Sequence, residues 1–150
     1  CQLLGEVIGG KIQKSKLSEI GFFNLNAKET IYKDKNLNFF PKKSLVFQWH
    51  SYEVCSLRNS SIENLATSSC TENQLFRYKS HAYGLQFHFE VDLDTIEKWL
   101  KEKTFKLTLE KIFGPNPLRI IKKKYANEFL KMNLLCEKFI LNLIKSFNIY

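Results

Sequence analysis

Arginine is scarce in this chain. Its 150 residues carry 20 lysines against 3 arginines, and the lysines are scattered among Asn, Ile and Phe, "KKK" at 122–124 being the longest basic run. A net charge of +8 suggests nucleic acid, but recognition of phosphates and bases leans on guanidinium forks and clustered charge. The excess reads as a Lys- and Asn-rich compositional bias, and no nucleic-acid partner is expected. Paired cysteines are missing too. Cys1, Cys55, Cys70 and Cys136 show no C-x-x-C spacing and no histidine at a metal-ligand interval, so neither a metal site nor a disulfide framework is indicated, and no cofactor is expected. Four such cysteines suit a reducing cytosol, which makes a cytoplasmic location the expectation. No apolar stretch reaches the length of a membrane span, and the N-terminus lacks the basic and apolar regions of a signal peptide. A basic tail lying on anionic membrane has only Lys122–Lys124 and neighbours behind it and ranks last, so no membrane partner is expected. Repeats and low-complexity linkers are absent as well.

What is there suits one core of ordinary size: 44% hydrophobic, 14% aromatic and 25% charged residues. In "CQLLGEVIGGKI" the residues Leu3, Leu4, Val7 and Ile8 share one helical face, and Gly9-Gly10 is a natural stop. The chain opens on this helix without an initiating Met, and a helix that starts at residue 1 is expected to have lost what preceded it. "GKI" is a short extended segment, and "EIGFFNLN" (19–26) is a strand or hairpin arm followed by a polar connection through residue 38. "SLVFQWH" (44–50) reads as a strand, "LATSS" (65–69) and "QLFRYKS" (74–80) as two short ones about a turn, and "AYGLQFHFEV" (82–91) as the clearest of all. Asp94 and Glu97 stand at capping-box spacing, predicting a helix from about Thr95. After the breaker "FGPNP" (113–117), Ile121, Tyr125, Phe129, Met132, Cys136, Phe139, Leu143 and Phe147 recur at three and four residues, a long amphipathic helix. Helices at the ends and strands between predict an α/β layer architecture.

The stretch "GLQFHFEVD" (84–92) carries the chemistry. On an extended chain Tyr83, Leu85, Phe87, Phe89 and Val91 share one face, and Gly84, Gln86, His88 and Glu90 the other. An imidazole and a carboxylate two residues apart, with Cα atoms roughly 7 Å from each other, can bond if the strand bends. The acid then fixes the ring tautomer and stabilises an imidazolium, leaving a base with its orienter and no nucleophile. The plain alternative is the wet face of a half-buried strand, and the pattern alone favours it. H-x-E also opens the zinc deaminase signature, but no P-C-x-x-C follows.

Taken together, "CQLLGEVIGGKI", "EIGFFNL", "VFQWHSYEV", "LATSSCTENQLFRY", "AYGLQFHFEVD" and "IEKWL" resemble, in order over about the first 100 residues, the class I glutamine amidotransferases, in particular free-standing proteins similar to the amidotransferase domain of GMP synthase. The resemblance implies a flavodoxin-like, doubly wound and mostly parallel sheet, here lacking its N-terminal strands. It divides the chain into a partial amidotransferase domain (1–105) and a C-terminal helical extension (106–150) packed on it. In that family a cysteine in a strand-to-helix turn attacks the side-chain amide of glutamine, a histidine moves the proton, and the glutamate two residues on orients it. His88 and Glu90 take those roles by resemblance. Phe89 stands where the family often has Pro, at a position pointing away from the site.

Aligning Gln2 with the glutamine of the family pattern G-x-C-x-G-x-Q places the attacking cysteine three residues before Cys1, outside this chain. Cys1 is then a packing residue of the nucleophile helix. Two other readings make Cys1 the nucleophile, through a shortened turn or through its own α-amine, and both clash with the helical character of "QLLGEVIGG". By resemblance Gln2 lies near the bound glutamine, and Ser51 and Tyr52 of "WHSYEV" contact it mainly through backbone. His50 is a tempting second base, read instead as a structural or substrate-loop residue. His81 is an exposed turn residue, and Trp49, Trp99 and the Phe-rich stripe are core. Without the missing part a strand edge and apolar faces stand uncovered, so the chain is expected to fold poorly alone, or to be a fragment. The implied function is hydrolysis of glutamine and supply of ammonia to an acceptor, with an ammonia-accepting synthetase as partner; as supplied, the chain is expected to be inactive. A γ-glutamyl hydrolase with the same triad, or a non-catalytic relative that binds a ligand or partner, remain as alternatives.

Overall fold

The first helix, α1 (Gln2–Val7), stops where its glycines stand. Gly9 takes a φ of 95°. Its amide donates to the Glu6 carbonyl at 3.0 Å and the Gly10 amide to the Gly5 carbonyl at 2.8 Å, the paired bonds of a Schellman turn. The computed structural model describes residues 1–147, so the last three residues of the chain lie outside this account.

Beyond that turn the two expected extended pieces are one strand, β1 (Lys11–Ala27), held antiparallel along most of its length to β2 (Lys43–Cys55). The register slips once: Lys14 faces Tyr52, whereas Glu19 faces His50. A bulge of this kind bends the strand and re-aims the side chains beyond it. A 3-10 turn (Glu29–Lys33) follows in the polar connection. Three shorter strands complete the sheet, β3 (Ile62–Thr67), β4 (Leu75–Tyr78) and β5 (Ala82–Leu85), in the order β2-β1-β3-β4-β5. The α/β class is as expected, but every strand pair among the described residues is antiparallel. The parallel pairs of a doubly wound sheet are not among them, because connections this short return the chain alongside itself, while parallel neighbours need long crossovers.

The strand expected over residues 82–91 leaves the ladder at Leu85. Its partner β4 begins at Leu75, and past that point only the Gln86 amide reaches back, to the Gln74 carbonyl at 2.9 Å. The chain then crosses to the opposite edge of the sheet, where the His88 amide donates to the Phe47 carbonyl at 2.8 Å. That bridge draws the two sheet edges together and covers unpaired backbone on β2.

Asp92, not Asp94, caps the next helix, α2 (Leu93–Trp99): its carboxylate accepts from the Thr95 amide at 2.8 Å. Helix α3 (Lys103–Phe113) ends at Gly114, with φ 81°, and Pro117 opens α4 (Pro117–Ser146). Of the predicted stripe, Ile121, Phe129, Met132 and Phe139 are buried; Phe147 is 47% exposed, because the helix ends before it. Phe22 of β1 stacks on Tyr125 of α4 with ring centroids 3.9 Å apart, and Phe129 meets Phe22 edge-on at 5.1 Å. Trp49 and Trp99 pack edge-to-face at 5.3 Å, partly buried against the core. Full burial of an aromatic or aliphatic side chain contributes roughly 1.5–3 kcal/mol, so this seam fixes the helices against β1 and β2.

Candidate active site

A groove of about 510 Å³ opens between the start of α1, the stretch of β2 opposite the β1 bulge and the segment after β5. Gln2, Ser51, Tyr52 and His88 all line it, with Cys1 and His50 beside them. Its walls come together because Gly5 has no side chain. A Cβ there would stand 2.5 Å from a Val54 methyl carbon, so only glycine lets α1 seat this closely on β2. The Gln2 amide nitrogen then reaches the Tyr52 carbonyl at 3.2 Å, and Ser18 donates to the Ser51 hydroxyl at 2.9 Å.

Glu90 is not on the groove wall; it stands behind the ring of His88. The irregular backbone after Leu85 keeps the alternation of an extended chain, with Phe87, Phe89 and Val91 buried and Glu90 exposed. Phe89 turns inward, against Phe87 and Phe139 at 5.3 and 6.0 Å between ring centroids. The same bend brings His88 Nδ1 to 2.7 Å from Glu90 Oε1. Partial burial works against the ionised form of Glu90. The hydrogen bond from His88 and the backbone donors around it prevail, holding the carboxyl below its ordinary range. An ionised Glu90 accepts the Nδ1 hydrogen and leaves the Nε2 lone pair of His88 available.

His50 is placed otherwise. Its Nδ1 lies 3.1 Å from the Tyr52 carbonyl oxygen, and its Nε2 3.1 Å from Glu19 Oε2, at ion-pair distance though off the line of a hydrogen bond. Both ring nitrogens face acceptors, so neither offers a lone pair to a ligand. Glu19 is fully buried, and no polar residue of β1 was singled out by pattern. Gln74 donates to it at 2.7 Å and Gln48 donates to Gln74 at 2.8 Å. Burial raises the Glu19 carboxyl, and contacts with His50, Ser68 and Thr71 lower it by more, so it too sits below the usual carboxylate range. The one sequence signal for this set was a lone acid opening the apolar run "EIGFF".

His81 is exposed, and the four cysteines are free. Cys1 stands at the N-cap of α1 without a capping bond. No group of three or more His, Cys, Asp or Glu side chains among the described residues is arranged to hold a metal ion, and no described helix is long and apolar enough to cross a membrane. Hollows of similar size lie elsewhere among the described residues, beside Lys106 and Arg119, between Ile20 and Leu107, and beside Phe22 and Lys43, and these three hold no histidine or cysteine.

A paired imidazole and carboxylate beside a groove has the geometry that acid–base chemistry requires. Residues 1–107 match the family model for glutamine amidotransferase class-I. The chain belongs to the class I glutamine amidotransferase family. The glutamine-hydrolysing GMP synthase of Syntrophomonas wolfei is 31% identical to it over 67% of this chain and 20% of the synthase. Among solved structures, a glutamine amidotransferase from Thermotoga maritima superposes with a TM-score of 0.81 at 29% identity, over 95% of this chain and 58% of that one. A glutamine amidotransferase from Methylobacillus flagellatus gives a TM-score of 0.78 at 20% identity, over 96% and 59%, and so speaks for the fold alone. The chain thus spans a fifth of the GMP synthase and under three fifths of either solved amidotransferase.

Proposed function

We propose that this chain supplies the acid–base half of a glutamine-hydrolysing site, with His88 as general base and acid and Glu90 as its orienter. The nucleophile is a cysteine three residues before Cys1, as the register of Gln2 in the family pattern implies. Its thiol gives a proton to His88 Nε2, and the thiolate attacks the side-chain carbonyl carbon of glutamine. The imidazolium returns that proton to the amide nitrogen, the C–N bond breaks and ammonia leaves, since amide nitrogen departs poorly until protonated. Water, deprotonated by His88, then attacks the thioester carbonyl and releases glutamate and the thiol. Gln2 and the backbone of Ser51 and Tyr52 hold the substrate in the groove they line. The ammonia passes to an acceptor on a synthetase partner.

The observation that carries this reading is the 2.7 Å contact between His88 Nδ1 and Glu90 Oε1 at the edge of a groove lined by Gln2. Residues 1–150 alone should release no ammonia from glutamine. Extended upstream by a segment bearing G-x-C-x-G, the chain should show thiol-dependent glutaminase activity that His88→Ala abolishes. Full activity in that variant refutes the assignment.

A further inference from the structure

Glu19, on β1, touches neither the groove nor any residue of the proposed acid–base pair, yet it is a fully buried acid, an arrangement that is costly unless its partners compensate. Its partners lead to the substrate wall. The bulge between Lys14 and Glu19 sets Glu19 opposite His50 in the ladder. His50 Nε2 lies 3.1 Å from its carboxylate, while Nδ1 of the same ring lies 3.1 Å from the Tyr52 carbonyl oxygen. That oxygen also accepts from Gln2 Nε2 at 3.2 Å. One line of polar contacts thus runs from the sheet interior through His50 to a single carbonyl shared with the first turn of α1. On the far side Gln74 donates to the carboxylate, and Gln48 reaches Gln74 rather than Glu19.

We propose that Glu19 is a positioning residue: acting through His50, it fixes the Tyr52 carbonyl and with it the Ser51–Tyr52 backbone and the Gln2 side chain that hold glutamine. The inference rests on the glutamine-binding reading above and extends it to a residue that never meets substrate. A carboxylate orients the ring by facing Nε2–H, and only the doubly protonated ring, with N–H at both nitrogens, can also donate from Nδ1 to the carbonyl. Glu19→Gln keeps the shape and removes the charge, freeing the ring to turn.

In the chain extended by its nucleophile segment, Glu19→Gln should raise KM for glutamine by about tenfold or more while kcat stays within about threefold, the mark of lost ground-state binding. Gln48→Met, which cuts the same network on the side away from the groove, should leave KM within about twofold. In the nitrogen-15-labelled extended chain the wild type should show a slowly exchanging His50 Nδ1 proton. Glu19→Gln should lose it and shift the Ser51, Tyr52 and Gln2 amide signals. A folded Glu19→Gln with unchanged KM and unchanged signals overturns the proposal, as does an equal KM effect from Gln48→Met. If Glu19→Gln does not fold, absence of the protected ring proton in the wild type overturns it alone and its presence supports it. Failure of the extended wild type to hydrolyse glutamine counts against the function instead, and the ring proton and amide signals then decide this proposal.

Discussion

The His88 amide donates to the Phe47 carbonyl at 2.8 Å, and this single bridge anchors the segment after β5 to a strand at the opposite edge of the sheet. It holds the backbone of His88 independently of its side chain. Replacing the imidazole therefore leaves the bend in place, and so does replacing the carboxylate that bonds to it.

From that follows a kinetic split between the two residues. In the extended, hydrolysing chain, His88→Ala should lower kcat by roughly 10²–10⁴-fold, the span typical of a general acid–base group. Glu90→Gln should cost less, because it removes an orienter while the proton carrier remains. Both variants should unfold within about 0.5 kcal/mol of wild type in urea, as partly exposed groups away from the core do. Equal activity in the wild type and Glu90→Gln would separate Glu90 from the reaction.

How much of this was open to reading from residues alone differs element by element. His88 and Glu90 share a face because alternation is local, and it survives the loss of strand pairing. The end of β5 at Leu85 was hidden, since the exchange of partner from β4 to β2 depends on which edges meet in three dimensions. Helix α4 was plain from its 3.6-residue stripe, except at Phe147, where the stripe outlasts the helix. "VDLDT" offers two acids as caps, and only the extended backbone at Asp92 chooses between them. Glu19 was missed because its setting is made by a bulge and by a histidine on another strand.

Gly84 is fixed by its neighbour. A Cβ at this position would lie 2.2 Å from Phe76 Cζ and within 2.7 Å of two further ring atoms, and Phe76 has no exposed surface. Gly84→Ala should therefore destabilise by about 1–3 kcal/mol, the usual cost of overpacking. Phe76→Leu in the same chain should recover part of that loss. Urea midpoints of the three variants check it, and a neutral Gly84→Ala would show that β4 and β5 separate readily.

Tyr83 supplies a test at alkaline pH. Its hydroxyl donates to Asp34, at 3.1 and 3.0 Å from the two carboxylate oxygens, while Asn36 donates to it at 3.0 Å and Arg77 donates to Asp34 at 2.8 Å. Burial above all, reinforced by the Asp34 charge and opposed by Asn36 and Arg77, pushes this phenol up to about 12. In the unfolded chain it ionises near its ordinary value of about 10. The unfolded state therefore loses its proton first, so stability is full below pH 10, falls between about 10 and 12, and loses nothing more beyond. Lysines titrate in the same range, and the difference between wild type and Tyr83→Phe isolates the tyrosine. Ultraviolet titration of the folded protein should show a tyrosinate that appears only near pH 12 and is missing in Tyr83→Phe.

Two phenylalanines of one helical stripe should behave oppositely. Phe129 is 3% exposed and lies edge-on to Phe22 at 5.1 Å and beside Phe47 at 6.4 Å, so it binds α4 to both long strands. Removing it takes away a buried ring and leaves a cavity that the stacked Phe22–Tyr125 pair is too rigid to fill. Phe129→Ala should cost about 3–5 kcal/mol. Phe147, 47% exposed beyond the last turn, should give a Phe147→Ala variant within about 0.5 kcal/mol of wild type. If α4 is an integral part of the sheet's core, Phe129→Ala should also lower the urea midpoint seen by Trp49 and Trp99 fluorescence, because those rings pack on Phe47 as Phe129 does. A midpoint that falls only in the helical signal, with tryptophan emission unmoved, would mean that the helix unfolds by itself and the sheet stands without it.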